Sequence, residues 1–345
     1  MGGFISSAPA IGADGTLFVA SVNSIFALKD NKLRWSRALD GEIDFSPSLG
    51  PDGTVYLGSR DNRVYALSPA DGSIRWSFAA GGMISSPVVV GRDGKLYFGS
   101  VDGYTYSLNP DGSLRWKLPI GGMLAGAAVD NRGTLYFGVV SENGPGNLLY
   151  ALSPEGEVEW SLPFPTLPAP ALGSEGTIYA GSREGVLYAV GIGGSVRWSL
   201  KLGEAIYSSP ALGPEGTVYV CYSDNANESW LAAVTPAGDR KWTLRVGSFC
   251  RSTPAVDRGG TVYVGGDNLF AVRADGTVRW QVCTGTKWAS PALAADGSVC
   301  AGSGGYLYVV GRAGTRTTYL HVLVGAVAAG LVLAVLLVRR RGRQG

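Results

Sequence analysis

The sequence predicts an all-β fold, an eight-bladed β-propeller of four-stranded blades, followed by a single C-terminal transmembrane helix. Two observations predict the propeller. A unit of about 40 residues recurs along the chain, and within each unit short strand signals alternate with tight-turn signals. A third observation predicts the helix: an apolar run free of formal charge precedes a cluster of arginines near the C-terminus.

The repeating unit is clearest from Ser46 to Trp76. Its strand signals, at 47–49, 54–57, 64–67 and 74–78, are rich in β-branched and aromatic residues. Asp52-Gly53 and Asp71-Gly72 separate them and supply the positive φ angles of tight turns. Four antiparallel strands in such a unit are typical of a propeller blade.

Seven of the eight units open on a proline, and seven end on a strand that carries a tryptophan. The tryptophans are Trp35, Trp76, Trp116, Trp160, Trp198, Trp242 and Trp280. The prolines are Pro9, Pro47, Pro87, Pro170, Pro210, Pro254 and Pro291, with Ala127 in the fourth unit. We expect each tryptophan to pack between adjacent blades, because a large ring buries much apolar area. Eight starts against seven tryptophan strands predict that the last blade is incomplete.

The N-terminus resembles a link between blades, since residues 1–7 match residues 80–86. Propellers usually close by completing one blade with strands from both ends, because an open sheet edge is a liability. We therefore expect the native protein to begin earlier, with a further tryptophan strand and a secretion signal.

The predicted domains are a propeller over 1–310, a linker over 311–318, a transmembrane helix over 319–338 and a basic cytoplasmic tail over 339–345. The apolar run suits the ~30 Å hydrocarbon core of a bilayer. The positive-inside rule then places the arginine tail in the cytoplasm and the propeller on the extracytoplasmic side. A cytosolic propeller held by a tail anchor is the alternative.

Composition excludes several classes of function. The formal net charge is +2 and four arginines lie in the tail, so the propeller itself does not suggest nucleic-acid binding. His321 is the only histidine and falls in the predicted membrane segment. The propeller therefore offers no Ser–His or Cys–His nucleophile and no histidine metal site. We predict a protein that is not an enzyme, with no catalytic residue, metal or cofactor.

The cysteines are Cys221, Cys250, Cys283 and Cys300, and no two of them have metal-ligand spacing. Cys221 stands where an earlier unit has Gly58. An extracytoplasmic location permits disulfides, and we expect Cys250 to pair with Cys283 because both lie near links of neighbouring units. Free buried thiols are the alternative.

Residues 66–76, together with Ser46-Pro47 and the Asp52–Tyr56 segment, resemble the pyrroloquinoline-quinone-like (PQQ-like) propeller repeat family. The resemblance covers roughly 1–310 and implies an eight-bladed propeller. Quinoprotein dehydrogenases of this family have Asp where this chain has Ser68, and Thr where it has Asp71. They also use adjacent cysteines and a calcium site, and this chain has no such cysteine pair. Without that cysteine pair no quinone-site residue is implied, so the resemblance argues against dehydrogenase activity. The family also includes a binding scaffold of outer-membrane assembly that is anchored through an N-terminal lipid, and the C-terminal membrane segment predicted here departs from it.

One position varies from unit to unit, three residues before the leading proline. It holds Ser6, Asp44, Ile84, Leu124, Leu167, Tyr207, Arg251 and Trp288. Insertions at 140–147 and 222–230 emerge on the same rim, and such insertions tend to mark a binding face. We predict ligand or partner binding by Asp44, Phe45, Tyr207, Trp230, Arg251, Lys287 and Trp288. A variable surface loop is the competing interpretation.

The leading hypothesis is a membrane-anchored, non-catalytic propeller that binds protein partners or an extracytoplasmic ligand on the outer side of the membrane. The alternatives are a degenerate PQQ-dependent quinoprotein oxidoreductase and a membrane sensor domain. In the sensor hypothesis the short cytoplasmic tail would need a partner within the bilayer.

Overall fold

The structure, a computed structural model, describes most of the chain. The described residues are 7–30, 32–120, 123–140, 148–165, 168–248, 250–284, 290–303, 306–311, 317–322 and 335–340.

The described strands form eight antiparallel sheets, each with its strands in chain order. The first four sheets consist of β1 (Ala10–Ile11), β2 (Leu17–Ser21), β3 (Ser24–Lys29) and β4 (Lys32–Ala38); β5 (Ser48–Leu49), β6 (Val55–Gly58), β7 (Arg63–Leu67) and β8 (Ile74–Ala79); β9 (Val89–Val90), β10 (Leu96–Gly99), β11 (Tyr104–Leu108) and β12 (Leu114–Pro119); and β13 (Met123–Val129), β14 (Leu135–Val140), β15 (Leu148–Leu152) and β16 (Val158–Leu162).

The remaining sheets follow the same plan. They consist of β17 (Ala171–Leu172), β18 (Thr177–Gly181), β19 (Val186–Gly191) and β20 (Val196–Lys201); β21 (Ala211–Leu212), β22 (Val218–Ser223), β23 (Glu228–Val234) and β24 (Arg240–Ser248); β25 (Ala255–Val256), β26 (Val262–Gly265), β27 (Leu269–Val272) and β28 (Val278–Val282); and β29 (Ala292–Leu293), β30 (Val299–Ser303), β31 (Tyr306–Val310), β32 (Thr317–Val322) and β33 (Val335–Arg340).

Within a blade, burial follows strand position. β6 is buried at every residue, and β7 at every residue after Arg63. The outer strand β8 instead alternates between exposed and half-buried residues. A continuous apolar run is expected for a strand that is covered on both faces. The neighbouring blades supply that cover, so the cores lie between blades.

The eight blades close into a ring. The inner strand β1 contacts β5 of the second blade and β29 of the eighth. Leu307 of the last blade is buried in one cluster with Val19, Phe26 and Leu28 of the first. These contacts confirm the predicted eight-bladed propeller.

The blade tryptophans join each blade to the next. Six of them donate a hydrogen bond from the indole N–H to a backbone carbonyl of the following blade, in the turn between its third and fourth strands, over 2.7–3.0 Å. The pairs are Trp35 with Pro69, Trp76 with Pro110, Trp116 with Pro154, Trp160 with Ile192, Trp198 with Pro236, and Trp242 with Ala274. Trp280 packs against Tyr263, as its counterparts pack against equivalent aromatic rings. The predicted inter-blade role of these tryptophans is thus observed.

The C-terminal segment differs from the expectation. β32 pairs with β31 and supplies a fourth strand to the blade that the sequence left incomplete, and β33 pairs with β32. The open edge of β31 offers unpaired backbone groups to a β-rich segment, which favours this pairing.

Of the helix expected over 319–338, residues 319–322 and 335–338 are described, and both stretches are strand. Residues 323–334 lie outside the described part. No helix among the described residues is long and apolar enough to span a bilayer. The transmembrane helix and the extracytoplasmic location therefore stay predictions.

Candidate functional site

The disc has two unlike faces. We call the face with the first-to-second and third-to-fourth strand turns the turn face. The opposite face, with the second-to-third strand turns and the inter-blade links, is the rim face. On the turn face, clefts of about 350–430 Å³ recur between blades, and Asp-Gly or Glu-Gly turns line them. One of them is lined by Asp52, Arg75 and Trp76. Because the repeat rebuilds these clefts from blade to blade, they belong to the scaffold.

A different cleft, which we call the rim cleft, opens on the rim face around the sixth blade. It encloses about 510 Å³ and departs from the repeat. The residues that carry its chemistry are Arg183, Glu204, Tyr207, Asp224, Cys250 and Arg251. They come from the fifth-blade turn, the links on either side of the sixth blade, and the sixth-blade insertion. Two cationic and two anionic side chains therefore line one concave surface.

The aromatic side chain of Tyr207 and the guanidinium of Arg251 form a pair across this cleft. The Arg251 Cζ atom lies 4.8 Å from the centre of the Tyr207 ring, a cation–π contact. Tyr207 precedes the sixth blade, whereas Arg251 precedes the seventh. Tyr207 remains 38% exposed, so its ring still presents apolar area to solvent. Tyrosine and arginine are both enriched at interaction hot spots.

The sixth-blade insertion is held in shape by Asp224. Its carboxylate accepts hydrogen bonds from the backbone N–H groups of Ala226 and Glu228 and from Trp230 Nε1, at 2.9–3.0 Å. The bond from Trp230 is the main reason why the pKa of Asp224 is lowered, with the two backbone bonds adding to it. Asn227 adopts a positive φ of 58°, which asparagine tolerates. The insertion is therefore an ordered wall of the rim cleft.

The floor of the rim cleft holds a pair of buried thiols. Cys250 is 6% exposed and Cys221 is 1% exposed, and their side chains meet within one buried core cluster. The contact with Cys221 lowers the pKa of Cys250, whose own thiol donates to Gly265 O over 2.8 Å. All four cysteines are free thiols, and Cys283 is exposed. The expected pairing of Cys250 with Cys283 is therefore wrong, because the thiol that Cys250 meets is Cys221.

The structure brings together part of the predicted binding set. Tyr207 and Arg251 line the rim cleft, and Trp230 supports its wall through Asp224. Asp44 lies on the link between the first and second blades, where its carboxylate accepts from Arg60 Nε at 2.6 Å. Phe45 is half-buried on the same link, and neither residue lines the rim cleft. Lys287 and Trp288 lie outside the described residues.

The structure also corrects one residue at the variable position, which lies three residues before each leading proline. Ile84 is 2% exposed and belongs to a core cluster, so it is not a surface position. The strand after Pro87, β9, begins two residues beyond the proline, whereas β5 begins directly after Pro47. Counting back from the proline therefore placed Ile84 one residue out of step, and its structural equivalents are the buried Ile43 and Ile206.

Sequence reasoning missed Arg183, Glu204 and Asp224, which also line the rim cleft. Arg183 matches Arg60 of the second unit, and Glu204 follows a link glycine as Glu42 does in the first link, so nothing in the repeat sets them apart. Asp224 stood within the predicted insertion, and its spacing from Ala226 and Glu228 is the signal for an Asx-type loop. Among the described residues, no three His, Cys, Asp or Glu side chains gather as a metal site.

Fold and repeat together define this protein as an eight-bladed propeller whose blades are joined by tryptophan hydrogen bonds. The chain belongs to the family described as outer membrane protein assembly factor BamB, which matches residues 2–151 and 144–318. This result confirms the PQQ-like repeat resemblance. No curated protein is similar enough in sequence to count as a relative.

Solved structures share the fold. BamB from Moraxella catarrhalis superposes with a TM-score of 0.70 at 17% identity, covering 91% of this chain and 96% of that one. A europium-containing methanol dehydrogenase gives a TM-score of 0.70 at 13% identity, over 88% of this chain and 82% of that one. Quinohemoprotein alcohol dehydrogenase from Comamonas testosteroni gives 0.71 at 14%, over 88% and 70%. The fold thus serves both an assembly factor and enzymes, and function must be argued from the site.

Proposed function

We propose that this protein is a non-catalytic, membrane-anchored scaffold that binds a protein partner at the rim cleft, on the outer side of the membrane. The observation that carries the proposal is the Tyr207–Arg251 pair, 4.8 Å apart, in a cleft that departs from the blade repeat. Membership of a family described by an assembly factor supports a binding role.

The chemistry of the rim cleft suits a protein surface better than a small substrate. Arg183 and Arg251 offer planar donors, Glu204 offers an acceptor, and Tyr207 adds apolar area. Interfaces combine aromatic and arginine anchors with a polar rim in this way. Histidine is absent from residues 1–310, and the adjacent cysteines of the quinoprotein dehydrogenases are absent from the sequence, which supports binding over catalysis.

The partner is tested by photo-crosslinking in cells. A p-benzoylphenylalanine at exposed Asn225, in the rim cleft, should trap one defined protein on illumination. The same probe at exposed Asp111, on the turn face, is the matched control and should not trap it. Tyr207→Ala with Arg251→Ala should reduce the Asn225 product at least tenfold, whereas Arg75→Ala, in a turn-face cleft, should leave it unchanged. Equal crosslinking from both faces would refute the rim cleft as the binding site.

The membrane part of the proposal rests on the sequence of residues 319–338 and the arginines that follow. It competes with the pairing of β32 and β33 on the edge of the last blade. The full chain should stay in the membrane pellet after alkaline carbonate treatment, and a chain ending at Gly311 should be released. Protease added outside should digest the propeller, whereas a propeller protected inside the cell would support the tail-anchored arrangement.

A further inference from the structure

The contact between Cys221 and Cys250 is a variant of a junction that the propeller builds repeatedly. At the second-to-third blade junction, Gly58 at the end of β6 faces Ile84 of the following link. At the fifth-to-sixth junction, Gly181 at the end of β18 faces Ile206 in the same way. At the sixth-to-seventh junction the two positions hold Cys221 and Cys250. A glycine–isoleucine pair has thus been replaced by two cysteines.

The repeated junction shows how close the two cysteine side chains lie. An ideal Cβ placed on Gly58 would lie 3.0 Å from Ile84 Cβ, and one on Gly181 would lie 3.0 Å from Ile206 Cβ. A disulfide joins Cβ atoms about 3.5–4.5 Å apart. The junction therefore holds these two Cβ positions close to bridging distance. A distance of 3.0 Å is too short for two real Cβ atoms, so the backbones of Cys221 and Cys250 need to separate only slightly to remove this overlap.

The two thiols also differ in access. Cys250 lines the rim cleft, whereas Cys221 lies behind it at the end of a buried stretch of β22. Contact between the two thiols, together with burial, raises the pKa of Cys221, and the same contact lowers the pKa of Cys250. A thiolate is the form that attacks disulfides. Cys250 is thus placed to react first and Cys221 to resolve the product.

We propose that Cys221 and Cys250 form a reversible disulfide that links the sixth and seventh blades beneath the rim cleft. A small disulfide, RSSR, is the oxidant. The Cys250 thiolate attacks one of its sulfurs, which forms a mixed disulfide and releases RS⁻. The Cys221 thiol then loses its proton and attacks the Cys250 sulfur, which releases the second RS⁻. The protein loses two protons and two electrons. The electrons reduce RSSR, and the two RS⁻ groups take up the protons to become 2 RSH.

Peptide mapping of the full-length protein tests this bond without reference to any partner. The native protein is incubated with hydroxyethyl disulfide, its remaining thiols are blocked with N-ethylmaleimide in denaturant, and it is digested with trypsin. The peptide 202–240, which holds Cys221, should be found linked to the peptide 246–251, which holds Cys250. Dithiothreitol should separate them and restore two alkylation sites.

Variants identify the order of attack. Cys221→Ser should stop the reaction at the mixed disulfide on Cys250, and Cys250→Ser should leave Cys221 unmodified. Cys283→Ser removes the exposed thiol and should leave the 221–250 link intact. A link between Cys250 and Cys283, or alkylation of both Cys221 and Cys250 after oxidation of the wild-type protein, would overturn the proposal. Because the readout is a covalent bond, it stands or falls independently of the proposed scaffold function.

Discussion

Trp76 and Gly112 meet face to face across the junction of the second and third blades. A Cβ atom on Gly112 would lie 2.7 Å from Trp76 Cδ2, and the Gly112 φ is +86°. The indole N–H of Trp76 also donates to Pro110 O in the same turn, over 3.0 Å. The glycine of the Asp-Gly turn is therefore required for two reasons, its backbone conformation and the ring that covers it.

Substituting Gly112→Ala separates these two requirements when it is compared with Gly103→Ala. Gly103 has a φ of +84° but has nothing within 4 Å of an added Cβ. We expect Gly103→Ala to cost about 1 kcal/mol for its backbone strain alone. Gly112→Ala should cost about 1–3 kcal/mol more, because the methyl group must displace the indole. Urea unfolding followed by tryptophan fluorescence measures both, and equal losses would contradict the contact.

Replacing Cys221 and Cys250 by the glycine and isoleucine of the equivalent junctions gives a second prediction. Cys250→Ile alone should destabilise by about 1–3 kcal/mol, since isoleucine does not fit against a Cβ at Cys221. Cys221→Gly alone should cost about 1–2 kcal/mol through a cavity and a freer unfolded chain. The double variant rebuilds the Gly58–Ile84 junction and should lose at least about 1 kcal/mol less than the sum. Additive losses in denaturant titrations would show that the two side chains do not touch.

Because of Tyr106, the free energy of unfolding should change with pH in the alkaline range. Burial and the hydrogen bond from its hydroxyl to Asp102, 2.6 Å long, raise the pKa of Tyr106 to about 12. In the unfolded chain a tyrosine ionises with a pKa of about 10. The stabilisation is therefore complete below about pH 10 and falls as the pH rises toward 12, because only the unfolded chain releases the proton in that range.

Tyr106→Phe tests this dependence. At pH 8 the variant should be about 1 kcal/mol less stable than the wild type, because the bond to Asp102 is lost. The difference should shrink as the pH rises from 10 toward 12. Urea unfolding measured at several pH values follows it, and a difference that widens with pH would refute the assignment.

The order of the sixth-blade insertion depends on Asp224. Asp224→Ala removes the acceptor for Ala226 N–H, Glu228 N–H and Trp230 Nε1. Hydrogen exchange of the Ala226 and Glu228 amides should accelerate at least tenfold. Asp275→Ala is the matched control, because Asp275 accepts a similar backbone bond from Thr277 on the turn face. Asp275→Ala should accelerate hydrogen exchange only within its own turn. Unchanged exchange of the Ala226 and Glu228 amides in Asp224→Ala would contradict the predicted role of Asp224.

The sequence predicted those parts of the fold that are determined within a single repeat unit. Tryptophans and Asp-Gly turns recur at fixed spacing, so blade number and junction chemistry followed from one aligned unit. The site was harder to predict because its residues come from three blades. Cys221 stood visibly in the place of Gly58, yet its partner Cys250 replaces an isoleucine that only the folded junction identifies. Ile84 was wrongly assigned to the variable position, because β9 begins two residues after its proline whereas β5 begins one residue after Pro47.

The tryptophan hydrogen bonds give the ring a direction, since each described one runs from a blade to its successor. At the junction of the eighth and first blades the pattern changes. The β31–β32 register places Thr318 where the other blades have tryptophan, and β3 and β4 are joined by only two residues. Apolar packing around Leu307 and Phe26 closes this seam. When the protein is pulled from its two ends, we therefore expect the ring to part at this seam first and the remaining blades to peel away in sequence.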